Sequence, residues 1–123
     1  MNVVPDTSAV IDGRVSERVD AGSYEGATIT VPEAVVGELE WQANEGHDTG
    51  WEGIEELQRL VDLAADGAIT VEYHGERPSA GQIHGSDEGD IDAIVRDVAA
   101  DLDATLLTSD VVQAEVSRAK GLD

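Results

Sequence analysis

Four short runs of aliphatic and β-branched residues, each followed by a stretch with helical apolar spacing, constrain this chain more than any other feature. The runs are Asn2-Val-Val-Pro5, Ala27-Thr-Ile-Thr-Val31, Ala68-Ile-Thr-Val-Glu-Tyr73 and Ala104-Thr-Leu-Leu107. Strands separated by helices cannot pair as tight hairpins, and the alternation calls for parallel neighbours joined by helical crossovers. The expected fold class is therefore α/β: a three-layer α/β/α sandwich around a mainly parallel sheet of four to five strands.

The intervening segments fill in the pattern. Val10, Ile11, Val15 and Val19 predict a helix, or two short helices broken at Gly13, over residues 7–20. Pro32 suits the first turn of a helix reaching about residue 44, with Val35, Val36 and Leu39 as its apolar stripe. A polar loop follows over 45–50. A long helix over 51–65 then carries Ile54, Leu57, Leu60, Val61 and Ala64 at helical spacing. Residues 75–89 hold four glycines and read as irregular. Helices are predicted over 90–102, with Ile91, Ile94, Val95, Val98, Ala99 and Leu102 on one face, and over 111–119. No linker or repeat divides residues 1–123, so one domain is expected. The pattern stops where another strand would follow, which suggests the N-terminal part of a longer chain.

Composition narrows the function classes. The chain has no cysteine, so thiolate metal sites and disulfides are excluded. No apolar run approaches the ~20 residues needed to span a bilayer, and no basic-then-apolar leader is present; a cytoplasmic location with no membrane partner is expected. No glycine-rich phosphate loop occurs, so this segment should not bind ATP through one. Twenty-seven acids against seven bases give a net charge of −20, with Lys120 the only lysine. Such a surface repels phosphates at low salt. The acids are spread along the whole sequence, which fits a protein adapted to concentrated salt, where the Debye length falls to about 3 Å at 1 M.

Against that background, a few acids stand at special positions. In an open parallel sheet, ligands bind beyond the carboxyl ends of the strands. Asp6 follows the first strand and Asp110 the fourth, each beside a hydroxyl residue. Each is also a good helix N-cap, a role that contributes about 1 kcal/mol. Glu38 lies at the edge of the Val35/Leu39 stripe, where an acid is not simply in solvent. Asp90 and Asp92 are about 200° apart on a helix, so only one can face a given point; Asp92 borders the buried face and is the stronger candidate, with Asp90 supporting it. Carboxylates brought together cost several kcal/mol unless a cation neutralises them. Mg²⁺ or Mn²⁺ suits such oxygen donors, and these ions promote attack of water at phosphorus. His47, His74 and His84 lack metal-ligand spacing and read as loop or strand-end residues.

The segments "VPDTSAVIDG", "PEAVVGELE", "GDIDAIVRDVA" and "ATLLTSD", in that order and spacing, resemble the PIN domain over the whole chain. The "DTSAVIDGRVSE" start and the glycine-rich segment before "GDIDA" look most like the N-terminal domain of archaeal ATPases that join a PIN domain to an ATPase core and a KH module. The resemblance implies a metal-dependent nuclease, most often acting on single-stranded RNA. Asp6, Glu38, Asp92 and Asp110 would form its acidic quartet, with Thr7 or Ser109 steadying the carboxylates. Arg14, Arg77 and Arg96 would contact phosphates; Arg96 has an alternative as the ion-pair partner of Asp92 or an outer acid. Two other readings remain open at this point: a non-catalytic nucleic-acid-binding or oligomerisation module of a larger ATPase, and a toxin-type ribonuclease. A homo-oligomer is compatible with the resemblance, with Trp41 and Trp51 either at its contact or capping the core. Receiver-like and dehalogenase-like phosphotransfer folds fit poorly, since Lys120 lies in the last helix and Ser8 stands where the latter needs a second aspartate.

Overall fold

The computed structural model describes residues 1–75, 88–109, 115, 116 and 118–121, with the backbone alone for residues 88–90 and 92. Its elements are β1 (Asn2–Pro5), α1 (Thr7–Asp12), α2 (Arg14–Asp20), β2 (Thr28–Pro32), α3 (Glu33–Asn44), α4 (Asp48–Ala65), β3 (Thr70–His74), α5 (Glu88–Asp101) and β4 (Thr105–Leu107). The strands form one parallel sheet in the order β3-β2-β1-β4. Helices flank it to give the three-layer α/β/α arrangement.

Burial follows from that order. Val3 and Val4 of β1 point to opposite faces, yet both are fully buried, as are Ile29 and Val31 of β2. A strand covered on both sides needs buried residues at successive positions rather than alternation; "VV" supplies them in β1. In β2 one face is filled by buried Thr30, whose hydroxyl donates to Asn2 Oδ1 at 2.8 Å, and the other by apolar Ile29 and Val31. Each such apolar side chain stabilises the fold by roughly 1.5–3 kcal/mol. β3 is an edge strand, and its Tyr73 is 46% exposed.

Two boundaries and one buried face depart from the sequence reading. Pro32 is the last residue of β2 and the N-cap of α3, with extended backbone (φ −63°, ψ 137°), rather than a first-turn residue. The polar loop is shorter than expected because α4 begins at Asp48. The buried face of α4 is also rotated. Gly50, Gly53, Glu56, Leu57 and Leu60 are buried, whereas Val61 is 47% exposed. The irregular stretch 75–89 lies mostly outside the described residues, as does much of the expected helix 111–119.

Two glycines explain the rotation of α4. A Cβ on Gly50 would stand 2.3 Å from the Ala43 amide nitrogen and 2.7 Å from the Leu39 carbonyl oxygen; one on Gly53 would stand 2.3 Å from a Leu39 methyl. The α3 and α4 backbones therefore approach too closely for any larger side chain. We expect Gly50→Ala to destabilise the protein by about 2–3 kcal/mol through overpacking against backbone, and Gly53→Ala by less, because the Leu39 side chain can turn aside. Denaturant unfolding of both variants checks the order.

Gly13 separates α1 from α2 and adopts φ 72°, a left-handed conformation that favours glycine. Among the described residues no helix is long and apolar enough to cross a membrane.

Candidate functional site

The strand order fixes where a ligand can enter. The chain runs outward through β1, β2 and β3, then returns to place β4 on the other side of β1. Connections diverge at that reversal and leave a crevice beyond the carboxyl ends of β1 and β4. Asp6 follows β1 directly, and Thr108 and Ser109 follow β4. The register Pro5↔Leu107 continues into the crevice through a bond from the Asp6 amide to the Leu107 carbonyl, 2.9 Å.

Asp6 is 99% buried and caps α1. Its Oδ1 accepts the Ala9 amide at 2.9 Å and the Ser8 hydroxyl at 2.7 Å. Both of these bonds fall on one oxygen, so Oδ2 takes no part in the cap. A cap uses half of the carboxylate; the other half remains available to a cation.

Ser8 is the residue that sequence reasoning missed. Its hydroxyl has a single proton, which goes to Asp6, so the contact with the Thr108 hydroxyl at 3.2 Å must have Thr108 as donor. It also accepts the Ser109 amide at 2.9 Å. All three hydrogen-bonding positions of the hydroxyl are thus used, and they tie the start of α1 to the residues after β4. The only signal in the sequence was the second hydroxyl in "DTS". Replacing Ser8 with alanine should cost about 1 kcal/mol, because the part-buried hydrogen bonds to Asp6 and Thr108 are lost. Calorimetric melting measures that loss; an unchanged melting temperature would show the clamp to be idle.

Thr7 reaches the other way. Its hydroxyl donates to Glu38 Oε2 at 2.8 Å, linking the first residue of α1 to α3 across 31 positions. The Glu38 carboxylate, half-buried, is thereby held beside the residue that follows Asp6. Gln42, one turn further along α3, donates to Oε1 at 3.4 Å. Of the expected hydroxyls, then, Thr7 contacts Glu38, while Ser109 enters the network through its backbone amide.

Asp90 and Asp92 lie on α5, a helix packed against β1, β4 and α3. Their side chains lie outside the described residues, as do Asp110 and Arg77 entirely. Among the described residues no three acids or histidines form a metal cluster. The donor set that is described still suits a hard cation: two carboxylates on one rim, one of them buried and only half used. His47 stacks against half-buried Trp41 with ring centroids 6.0 Å apart, and Trp51 is exposed.

Where α1 and α2 meet the end of β4 is a small cleft of about 50 Å³ lined by Arg14, Arg18, Ala9, Val15, Thr108 and Ser109, with Leu107 completing it. Arg14 was expected near the site; Arg18, one helical turn along, was not. Arg96 is half-buried on α5.

Residues 3–119 match the family model described as the PIN domain. The chain is 47% identical, over 121 residues and 98% of its length, to an uncharacterized KH and PIN-domain containing protein of Methanocaldococcus jannaschii, of which it spans 19%. It is also similar to the solved structure of a domain of a functionally unknown protein from the same organism, with a TM-score of 0.94, 47% identity, and coverage of 99% of this chain and 87% of that one.

Proposed function

Given that this chain belongs to the PIN-domain family, a superfamily of metal-dependent nucleases, we propose that it hydrolyses phosphodiester bonds of single-stranded RNA, using Mg²⁺ or Mn²⁺ held by Asp6, Glu38, Asp92 and Asp110, with Asp90 in support. The observation that carries this reading is the divided use of the Asp6 carboxylate, with Glu38 drawn to the same rim by Thr7. A divalent ion bound there would neutralise the nest and supply Lewis-acid activation of water and charge stabilisation at phosphorus.

The chain's own residues have separate tasks. Asp6 holds its orientation through the α1 cap and Ser8. Thr7 fixes one oxygen of Glu38 by a hydrogen bond. The Ser8–Thr108–Ser109 network sets the spacing of the two strand ends, and Ser109 precedes Asp110 in the chain. Such positioning accounts for a large part of a nuclease's rate, since orientation alone is worth several kcal/mol.

The wider setting is part of the proposal. A cytoplasmic protein in concentrated salt accounts for a net charge of −20. The KH domain in the name of the archaeal relative supports a longer polypeptide in which this domain works beside a KH module, and an ATPase core is compatible with it. RNA strands meet the catalytic rim after capture by such a module.

The test is cleavage of labelled single-stranded RNA and DNA in roughly 1–2 M KCl with Mn²⁺, Mg²⁺ or EDTA. Cleavage of RNA that requires the divalent ion is the expected result. Binding of RNA with no cleavage under any metal would favour a non-catalytic nucleic-acid-binding role.

A further inference from the structure

Seven cations serve 27 acids in this chain, so an arginine without a carboxylate partner is out of the ordinary. Arg14 and Arg18 are two such residues. Both are exposed, and they lie one turn apart on α2. Asp12, Glu17 and Asp20 are their sequence neighbours, yet among the described residues neither arginine forms an ion pair. The bond found for Arg18 is to the phenol oxygen of Tyr24 at 3.3 Å. By contrast, Arg59 pairs with Glu56 at 3.0 Å and Arg118 with Glu115 at 3.9 Å.

Both arginines line the cleft where α1 and α2 meet the end of β4, together with the hydroxyl residues Thr108 and Ser109. Its volume of about 50 Å³ is room for roughly four waters on a scale of 10–15 Å³ each. That is room enough for a phosphate group. Arginine forks and hydroxyls are the donors that phosphate oxygens prefer, while a free cation in so acidic a chain repays its position only if an anion visits it.

We propose that the cleft between α2 and the end of β4 is a subsite for one backbone phosphate of the RNA strand, next to the scissile bond, held by Arg14 and Arg18. This rests on the nuclease reading and adds to it a site that anchors the strand without taking part in the chemistry. The site also offers so acidic a chain one local attraction for a nucleic-acid substrate: two cations that form no ion pair among the described residues.

Binding of a short fluorescent single-stranded RNA, followed by anisotropy in EDTA from about 0.1 to 0.5 M KCl, separates this proposal from catalysis. The Arg14→Gln/Arg18→Gln double variant is expected to bind about tenfold more weakly, with a salt slope shallower by about one. Arg18→Lys, which keeps the charge, should stay within about threefold of the wild type, and melting curves confirm that each variant folds. Arg118→Gln removes one cation away from the cleft and should change little. In Mn²⁺ the double variant should show a raised KM with kcat retained. Undiminished binding by the double variant, or an equal loss in Arg118→Gln, overturns the subsite. A wild-type protein that binds in this pattern but never cleaves overturns the nuclease reading and leaves the subsite standing.

Discussion

Asp6→Asn should lower RNA cleavage by about a thousandfold or more while leaving the melting temperature within a few degrees of the wild type. The two halves of this expectation come from the two oxygens. Asparagine Oδ1 can accept the same bonds from the Ala9 amide and the Ser8 hydroxyl, and asparagine is as good an N-cap as aspartate. The fold should therefore lose no more than about 1 kcal/mol. The amide nitrogen that replaces Oδ2 is a poor ligand and carries no charge. A thousandfold fall corresponds to about 4 kcal/mol of lost transition-state stabilisation, in keeping with the loss of a carboxylate from a metal nest. Metal-dependent protection gives a readout independent of turnover. Mn²⁺ should raise the melting temperature of the wild type, since an ion that binds only the folded state stabilises it, and should leave Asp6→Asn unmoved. If Asp6 were a cap alone, both proteins would cleave equally and respond equally to Mn²⁺.

Glu56→Ala should be the most damaging single change to stability away from the rim, at about 3–4 kcal/mol. Glu56 is fully buried on α4, and its partners are Ser16 of α2 and Arg59, three residues along α4 itself. One oxygen accepts the Ser16 amide at 2.8 Å, and the other accepts the Ser16 hydroxyl and the Arg59 guanidinium, the latter at 3.0 Å. Ser16 is the third residue of α2, whose N-cap Gly13 has no side chain to offer. Glu56 thus caps α2 from another helix. Alanine would leave the buried Ser16 amide unsatisfied, at about 1–3 kcal/mol, turn its hydroxyl to the Gly13 carbonyl alone, and open a cavity. For a domain of this size the melting temperature should fall by roughly 10–20 °C. Glu56→Gln keeps the volume and one acceptor, so its cost should be clearly smaller. Equal stability of all three proteins would show that the cap contributes nothing.

The layout of strands and helices was legible because each strand is a compact apolar run and each helix carries its own spacing. Asp6 and Glu38 could be singled out because an acid at a strand end, or at the border of an apolar stripe, departs from the surrounding pattern. Glu56 was not legible. It sits between Glu55 and Leu57 in a run of surface-like residues, and only the close approach at Gly50 and Gly53 turns that side of α4 inward. The small residues at positions 50 and 53, in register with Leu57 and Leu60, were the available clue. Ser8 was hidden for a related reason: its partners Thr108 and Ser109 are a hundred positions away, and only the parallel β1–β4 pairing brings them together. Arg18 looked like any outer-face cation until the strand order put β4 beside α2.

The rim beyond β1 and β4 is expected to hold a divalent ion between Asp6 and Glu38. Crystals soaked in Mn²⁺ and measured at the manganese absorption edge test it directly. We expect an anomalous peak within about 2.0–2.3 Å of Asp6 Oδ2, directly or through one water to Glu38. Well-ordered crystals with millimolar Mn²⁺ and no peak at that rim, or a peak only on outer carboxylates, would contradict it.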